Sequence, residues 1–175
     1  MAALQDNFIL ICMGVSGTGK TTLAKYVSDK YGIAYLEADD FHPEENKTHM
    51  ASGKALTDEM RAPWIKAMCD KIRTLNSPCV LSYSGLRRAH RDQFRALGRS
   101  ICFLHLIGDF RVIAARMRER VDHFMPDTLL QSQFDAMEGT GEARDVIAIS
   151  VNGDLSSVYE QATMTIDAFL RESLS

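Results

Sequence analysis

Gly14-Val15-Ser16-Gly17-Thr18-Gly19-Lys20-Thr21 matches the pattern G-x-x-x-x-G-K-[ST] at every fixed position, and the residues around it decide the fold. Just before it, Phe8-Ile9-Leu10-Ile11-Cys12-Met13 is an unbroken apolar run of strand length, and just after it Thr22 to Tyr31 reads as a helix. The glycines therefore sit in a strand-to-helix turn. There a tightly curled backbone points successive N–H groups inward at the positive end of the helix, forming a cradle for anions. The expected cradle is Gly14, Val15, Ser16, Gly17, Thr18, Gly19, Lys20, Thr21 and Thr22, with Lys20 reaching the β- and γ-phosphates of a nucleoside triphosphate. The Thr21 hydroxyl is the expected ligand for Mg2+, which prefers oxygen donors.

Outward from this turn, strands and helices alternate. Ala34-Tyr35-Leu36, Cys79 to Ser82, Ile101 to Ile107 and Val146 to Val151 read as four more strands. Helices are predicted over Glu45–Ala51, Asp58–Leu75, Arg87–Leu97, Phe110–Arg120, Thr128–Met137 and Ser156–Leu170. The fold class is α/β: a three-layer P-loop NTPase fold with a five-stranded parallel sheet, helices on both faces, and ligands beyond the carboxyl ends of the strands. One kinase domain spanning 1–175 is expected, with an arginine-bearing lid at about 116–143 that closes over the γ-phosphate. Ser52–Thr57, Val121–Asp127 and Glu138–Ala143 read as the mobile stretches of the chain.

Composition excludes several classes. With 46% hydrophobic and 25% charged residues the chain is ordinary for a globular protein, and no apolar segment is long enough for a bilayer. No export signal precedes the first strand, so a cytoplasmic protein that binds no membrane is expected. Cys12, Cys69, Cys79 and Cys102 lack C-x-x-C spacing and read as reduced core thiols. The net charge is −3, yet Arg87 to Arg120 holds nine arginines against Asp92, Asp109 and Glu119; that segment is +6 and the remainder −9. Lysine is absent from it and aromatics are sparse, which favours a small polyanion over nucleic acid as its partner.

Glu37-Ala38-Asp39-Asp40-Phe41-His42-Pro43 leaves the second strand on the same sheet edge as the phosphate loop. Phosphoryl transfer needs a carboxylate to orient the acceptor hydroxyl and take its proton, so Asp39 leads and Asp40 follows as candidate base, with Asp39 also near the metal.

Together these segments resemble the gluconokinases of the P-loop, shikimate-kinase-like group. Carrying the resemblance are Gly14 to Thr21, Glu37 to Pro43, Asn46 with Met50 to Leu56, Asp58 with Arg61 to Trp64, and Ser84 to Arg88 with Arg91-Asp92. Gly108-Asp109-Phe110, Arg116 with Arg120, and His123 to Pro126 with Leu129 to Phe134 continue it. Ala38, Ala55, Met60, Tyr83, His90, Asp122 and Gly139-Thr140 depart from the usual residues of that family and bear on the lid and acceptor pocket. The resemblance implies ATP-dependent phosphorylation of D-gluconate at its 6-hydroxyl, with Mg2+, in a possible homodimer. A kinase for another aldonate or for shikimate, and an inactive nucleotide-binding regulator, are the rival expectations. Arg91 is the candidate for the substrate carboxylate, with Arg61, His42 and Asp39 completing the acceptor pocket. Arg116 and Arg120, four residues apart, are expected on one helix face; by similarity Arg116 borders the nucleotide and Arg120 approaches the transferring phosphoryl group.

Overall fold

A computed structural model describes residues 7–120 and 126–173. The strands are β1 (Ile9–Met13), β2 (Ala34–Glu37), β3 (Cys79–Ser82), β4 (Ile101–Ile107) and β5 (Val146–Ser150). Between and after them lie α1 (Lys20–Tyr31), α2 (Glu44–Ala51), α3 (Asp58–Thr74), α4 (Arg88–Arg95), α5 (Phe110–Arg118), α6 (Asp127–Ala136) and α7 (Leu155–Ser173). A short 3-10 helix, Ala38–Phe41, which the sequence pattern did not announce, follows β2 directly.

The five strands form one parallel sheet in the order β2-β3-β1-β4-β5. β1 is central and buried on both faces, which explains its unbroken apolar sequence. Its alternate residues feed two cores. Phe8, Leu10 and Cys12 join Leu104 and Leu106 of β4 against Leu23 and Val27 of α1 and Val158, Ala162 and Ile166 of α7. Ile9, Ile11 and Met13 join Leu81 and Phe103 against Trp64, Ile65, Met68 and Ile72 of α3 and Phe94 of α4. A smaller cluster packs Val15 of the phosphate loop on Ile113, Ala114 and Met117 of α5 and Leu130 of α6.

Register brings the functional ends level. Glu37 pairs with Ser82 across β2 and β3, and Cys12 pairs with Ser82 across β1 and β3, so the carboxyl ends of three strands open at one rim. α3 begins at a Thr57 cap whose hydroxyl accepts the Met60 N–H at 3.3 Å. It is then tied back to the rim, because the Trp64 indole N–H donates to the Ala38 carbonyl at 2.7 Å. No helix among the described residues is long and apolar enough to cross a membrane. All four cysteines are free and buried.

Candidate active site

A cleft of about 920 Å3 lies above that rim, lined on one side by the phosphate loop and on the other by α2, α3, α6 and the segment after β3. The loop's shape is set by two close approaches. A Cβ on Gly14, at φ +147°, would stand 2.8 Å from the Leu106 carbonyl oxygen, and one on Gly17, at φ +82°, would stand 2.6 Å from Met117 Sδ. Neither position accepts a side chain in this geometry. The Gly14 N–H donates to the Ser84 carbonyl at 3.1 Å, and the buried Thr18 hydroxyl to the Val15 carbonyl at 2.9 Å, fixing the turn from inside.

Lys20 Nζ donates to the Val15 carbonyl at 3.0 Å. Burial drives its pKa down to about 8; Asp39 and Glu37 nearby oppose that shift, and Arg120 adds to it. The Thr21 hydroxyl donates to Glu37 Oε2 at 2.6 Å and lies 3.3 Å from Ser82 Oγ. Tyr35 O–H donates to the same Glu37 oxygen at 2.5 Å. Hydroxyl and carboxylate oxygens thus converge next to the phosphate cradle, a donor set that suits Mg2+. Glu37 was not singled out from sequence as a site residue; being the last residue of a strand that ends at the rim is the signal that marks it.

Asp39 stands on the 3-10 helix with its side chain 84% exposed at the cleft, 3.9 Å from His42 Nε2. His42 is its opposite, a side chain 5% exposed and stacked on Trp64 with centroids 3.9 Å apart. Burial, with Lys47 adding to it, lowers its pKa to about 4, so the ring is neutral at physiological pH. Arg61 lines the cleft and donates to Asp58 Oδ1 at 3.0 Å. Arg87, at the start of α4, approaches the same carboxylate oxygen at 3.7 Å and Glu138 at 3.7 Å. Its buried Nε has no hydrogen-bond partner among the described residues. Lys47 and Lys54 also line this end, which is therefore cationic.

Of the expected residues, Ser16, Gly17, Gly19, Lys20, Thr21, Thr22, Asp39, His42, Arg61 and Arg120 line the cleft. Gly14, Val15 and Thr18 shape the loop from behind. Arg91 does not belong with them. It is 2% exposed, and its two terminal nitrogens donate to main-chain carbonyls: Nη1 to Gly85 at 2.7 Å and Leu86 at 3.4 Å, Nη2 to Glu138 and Gly139 at 3.5 Å. Its place on the helix after the third strand and the resemblance put it near the cleft, but the buried face of α4, with His90 and Phe94, turns it inward. Those carbonyl bonds, with the Glu138 N–H donating to Leu86 at 2.8 Å, also pin the start of a stretch expected to be mobile. Arg116 and Arg120 do not share a helix face either, because α5 ends at Arg118; Arg116 instead donates to the Val151 carbonyl at 2.8 Å. The His123-Phe124-Met125 part of the resemblance, Asp122 and the middle of the expected lid fall on 121–125, outside the described residues.

A parallel sheet whose central strand delivers a phosphate loop, facing a carboxylate and a cationic wall across one cleft, defines a P-loop kinase. A family model described as an AAA domain matches residues 9–142. The chain is 37% identical to the thermosensitive gluconokinase of Escherichia coli (strain K12), over 92% of this chain and 87% of that one. It belongs to the gluconokinase family. The gluconokinase of Gluconobacter oxydans (strain 621H) is 39% identical over 84% of each chain. The crystal structure of a gluconokinase from Sinorhizobium meliloti 1021 superimposes with a TM-score of 0.88 at 31% identity, covering 98% of this chain and 97% of that one.

Proposed function

We propose that this chain transfers the γ-phosphoryl group of ATP to the 6-hydroxyl of D-gluconate, giving 6-phosphogluconate and ADP. The observation that carries the reading is the cleft itself, with a phosphate cradle at one end and Arg61, Arg87 and neutral His42 at the other. Loop amides and Lys20 hold the phosphates, and the charge of the triphosphate raises the Lys20 pKa again, keeping the amine protonated. Asp39 orients the acceptor hydroxyl and takes its proton as the O–P bond forms and the bond to the β-phosphate oxygen breaks. Arg120, which lines the same cleft, stabilises charge on the moving phosphoryl group.

Arg61 and Arg87 both reach Asp58, Arg87 also reaches Glu138, and both side chains line the cleft, where their guanidinium groups can donate to the carboxylate of an aldonate. We assign that task to Arg61 and Arg87. His42, uncharged, accepts or donates a hydrogen bond to a substrate hydroxyl. Thr21, Glu37 and Ser82 would hold Mg2+ directly or through water, and the ion would neutralise the phosphates and polarise the γ-phosphoryl group. Four buried free thiols fit the reducing cytoplasm, which we propose as the compartment.

ADP release measured across gluconate, other aldonates and shikimate tests the acceptor. Gluconate is expected to give the highest kcat/KM; preference for another acid would overturn the assignment, and nucleotide binding with no turnover on any of them would favour a regulator.

A further inference from the structure

Asn46 carries part of the gluconokinase resemblance, yet it lies behind the cleft and does not line it. It is buried on the first turn of α2, and its side-chain amide reaches in two directions from there. Nδ2 donates to the Met60 carbonyl of α3 at 2.9 Å and lies 3.4 Å from Nδ1 of His42. A carbonyl can only accept, so the nitrogen end of the amide faces Met60, and the second hydrogen of the same NH2 group is the one directed to His42. An N–H aimed at a ring nitrogen needs a lone pair there. Nδ1 of His42 is therefore unprotonated, which excludes both the imidazolium and the Nδ1–H form, and the single ring proton sits on Nε2. Stacking on Trp64, 19° from parallel, fixes the plane of the ring, and Asn46 fixes which edge faces α2.

We propose that Asn46 is a positioning residue that locks His42 as the Nε2–H tautomer, a hydrogen-bond donor to a hydroxyl of the sugar acid and not a second base beside Asp39. The inference rests on the kinase reading above and decides what that reading leaves open, whether His42 donates or accepts. Nε2 is the ring nitrogen on the Asp39 side, 3.9 Å from Oδ1, and both residues line the cleft. With the proton on Nε2 the two side chains divide the work. The ionised carboxylate only accepts, and this edge of the ring only donates. A hydroxyl within reach of both donates to Asp39 and accepts from His42 at once, whereas a carbonyl or ether oxygen satisfies the ring and leaves the carboxylate unserved. The pair is a filter for hydroxyl groups. Its setting comes from the Met60 carbonyl on α3, through Asn46 on α2, to the ring, so the seating of one helix on the other determines which atom at the rim carries a proton.

Two-bond 1H–15N correlation spectra of the histidine rings, recorded on the full chain near neutral pH without substrate, test the lock; His42→Gln identifies the His42 signals by their loss. Nε2, the nitrogen that couples to both ring C–H protons, should be the protonated one. A ring protonated on Nδ1, or an even mixture of the two forms, overturns the proposal. In Asn46→Asp the new carboxylate can only accept, so the proton should move to Nδ1, and the gluconate KM should rise about tenfold or more with ATP affinity nearly unchanged in titration. A residue that only braced α2 against α3 would leave the tautomer as it was, and that result overturns the lock even if KM rises. His42→Gln, which keeps an N–H donor but has no basic nitrogen, should raise the gluconate KM while kcat falls less than about tenfold. A fall of about 10²- to 10⁴-fold, the usual contribution of a general base, would make His42 a base and overturn the division of work. Should Asn46→Asp fail to fold, the parent spectrum and His42→Gln decide between these outcomes. A parent protein that shows the Nε2–H ring but does not turn over gluconate contradicts the kinase reading and not the lock.

Discussion

Lys20 meets the nucleotide at a disadvantage, because burial has already pulled its pKa down to about 8. Bound phosphates favour the protonated form and raise that value, so binding takes up a proton wherever the free amine is neutral. The sign follows: ATP affinity is full below pH 8 and falls as pH rises through it. Calorimetry at pH 7 and pH 9 should show the loss, and at pH 8 to 9 the heat should vary with the ionisation enthalpy of the buffer. Asp39 carries a different prediction. Asp39→Asn keeps its size but removes the proton acceptor, so kcat should fall about 10²- to 10⁴-fold with ATP affinity nearly unchanged in equilibrium titration. At this scale the sequence was most readable where backbone geometry demands a residue type, as at Gly14 and Gly17. It was least readable for long side chains. Arg91 and Arg87 lie on the same helix start and look equivalent in the sequence, yet carbonyl packing buries one and leaves the other facing the cleft.

Between those arginines lies the test of that correction, because each serves a different element. Arg91→Met strands main-chain carbonyls of the segments after β3 and after α6, and should lower stability by about 1–3 kcal/mol in denaturant unfolding while the acceptor KM changes little. Arg87→Met should raise the acceptor KM at least tenfold with a far smaller stability loss, since its side chain is 39% exposed. Gly17→Ala probes the contact between the phosphate loop and α5. Its Cβ would enter the space of Met117 Sδ on a backbone of positive φ, so the loop must deform and ATP affinity should drop at least tenfold in titration. Strand and helix positions were legible to within two residues except at the end of α7, which runs three residues past the expected Leu170, since their apolar periodicities face two sides of a sheet. The 3-10 helix under Asp39 was not. Four residues carry no periodicity, and what holds them is the remote Trp64 bond to Ala38.

Charge is arranged across the whole molecule in a way no linear tally reveals. Nine arginines crowd Arg87 to Arg120 in the sequence, but only Arg87 and Arg120 among them line the cleft. Others are spent on structure: Arg95 grips Asp145 at 2.7 and 2.9 Å, Arg99 holds the Leu75 carbonyl at 2.6 Å, and Arg118 pairs with Asp127. A further arginine that lines the cleft comes from elsewhere, Arg61 on α3. The parallel sheet makes this convergence possible by ending β1, β2 and β3 at one rim, so that donor and acceptor sites face each other. The claim at the centre is that a terminal hydroxyl of an open-chain sugar acid lies in line with the γ-phosphate there. Phosphorus NMR of the product formed from ATP and gluconate tests it most directly. A single new phosphomonoester, split by two methylene protons, is the predicted result; splitting by one methine proton, or the appearance of free phosphate alone, would contradict it.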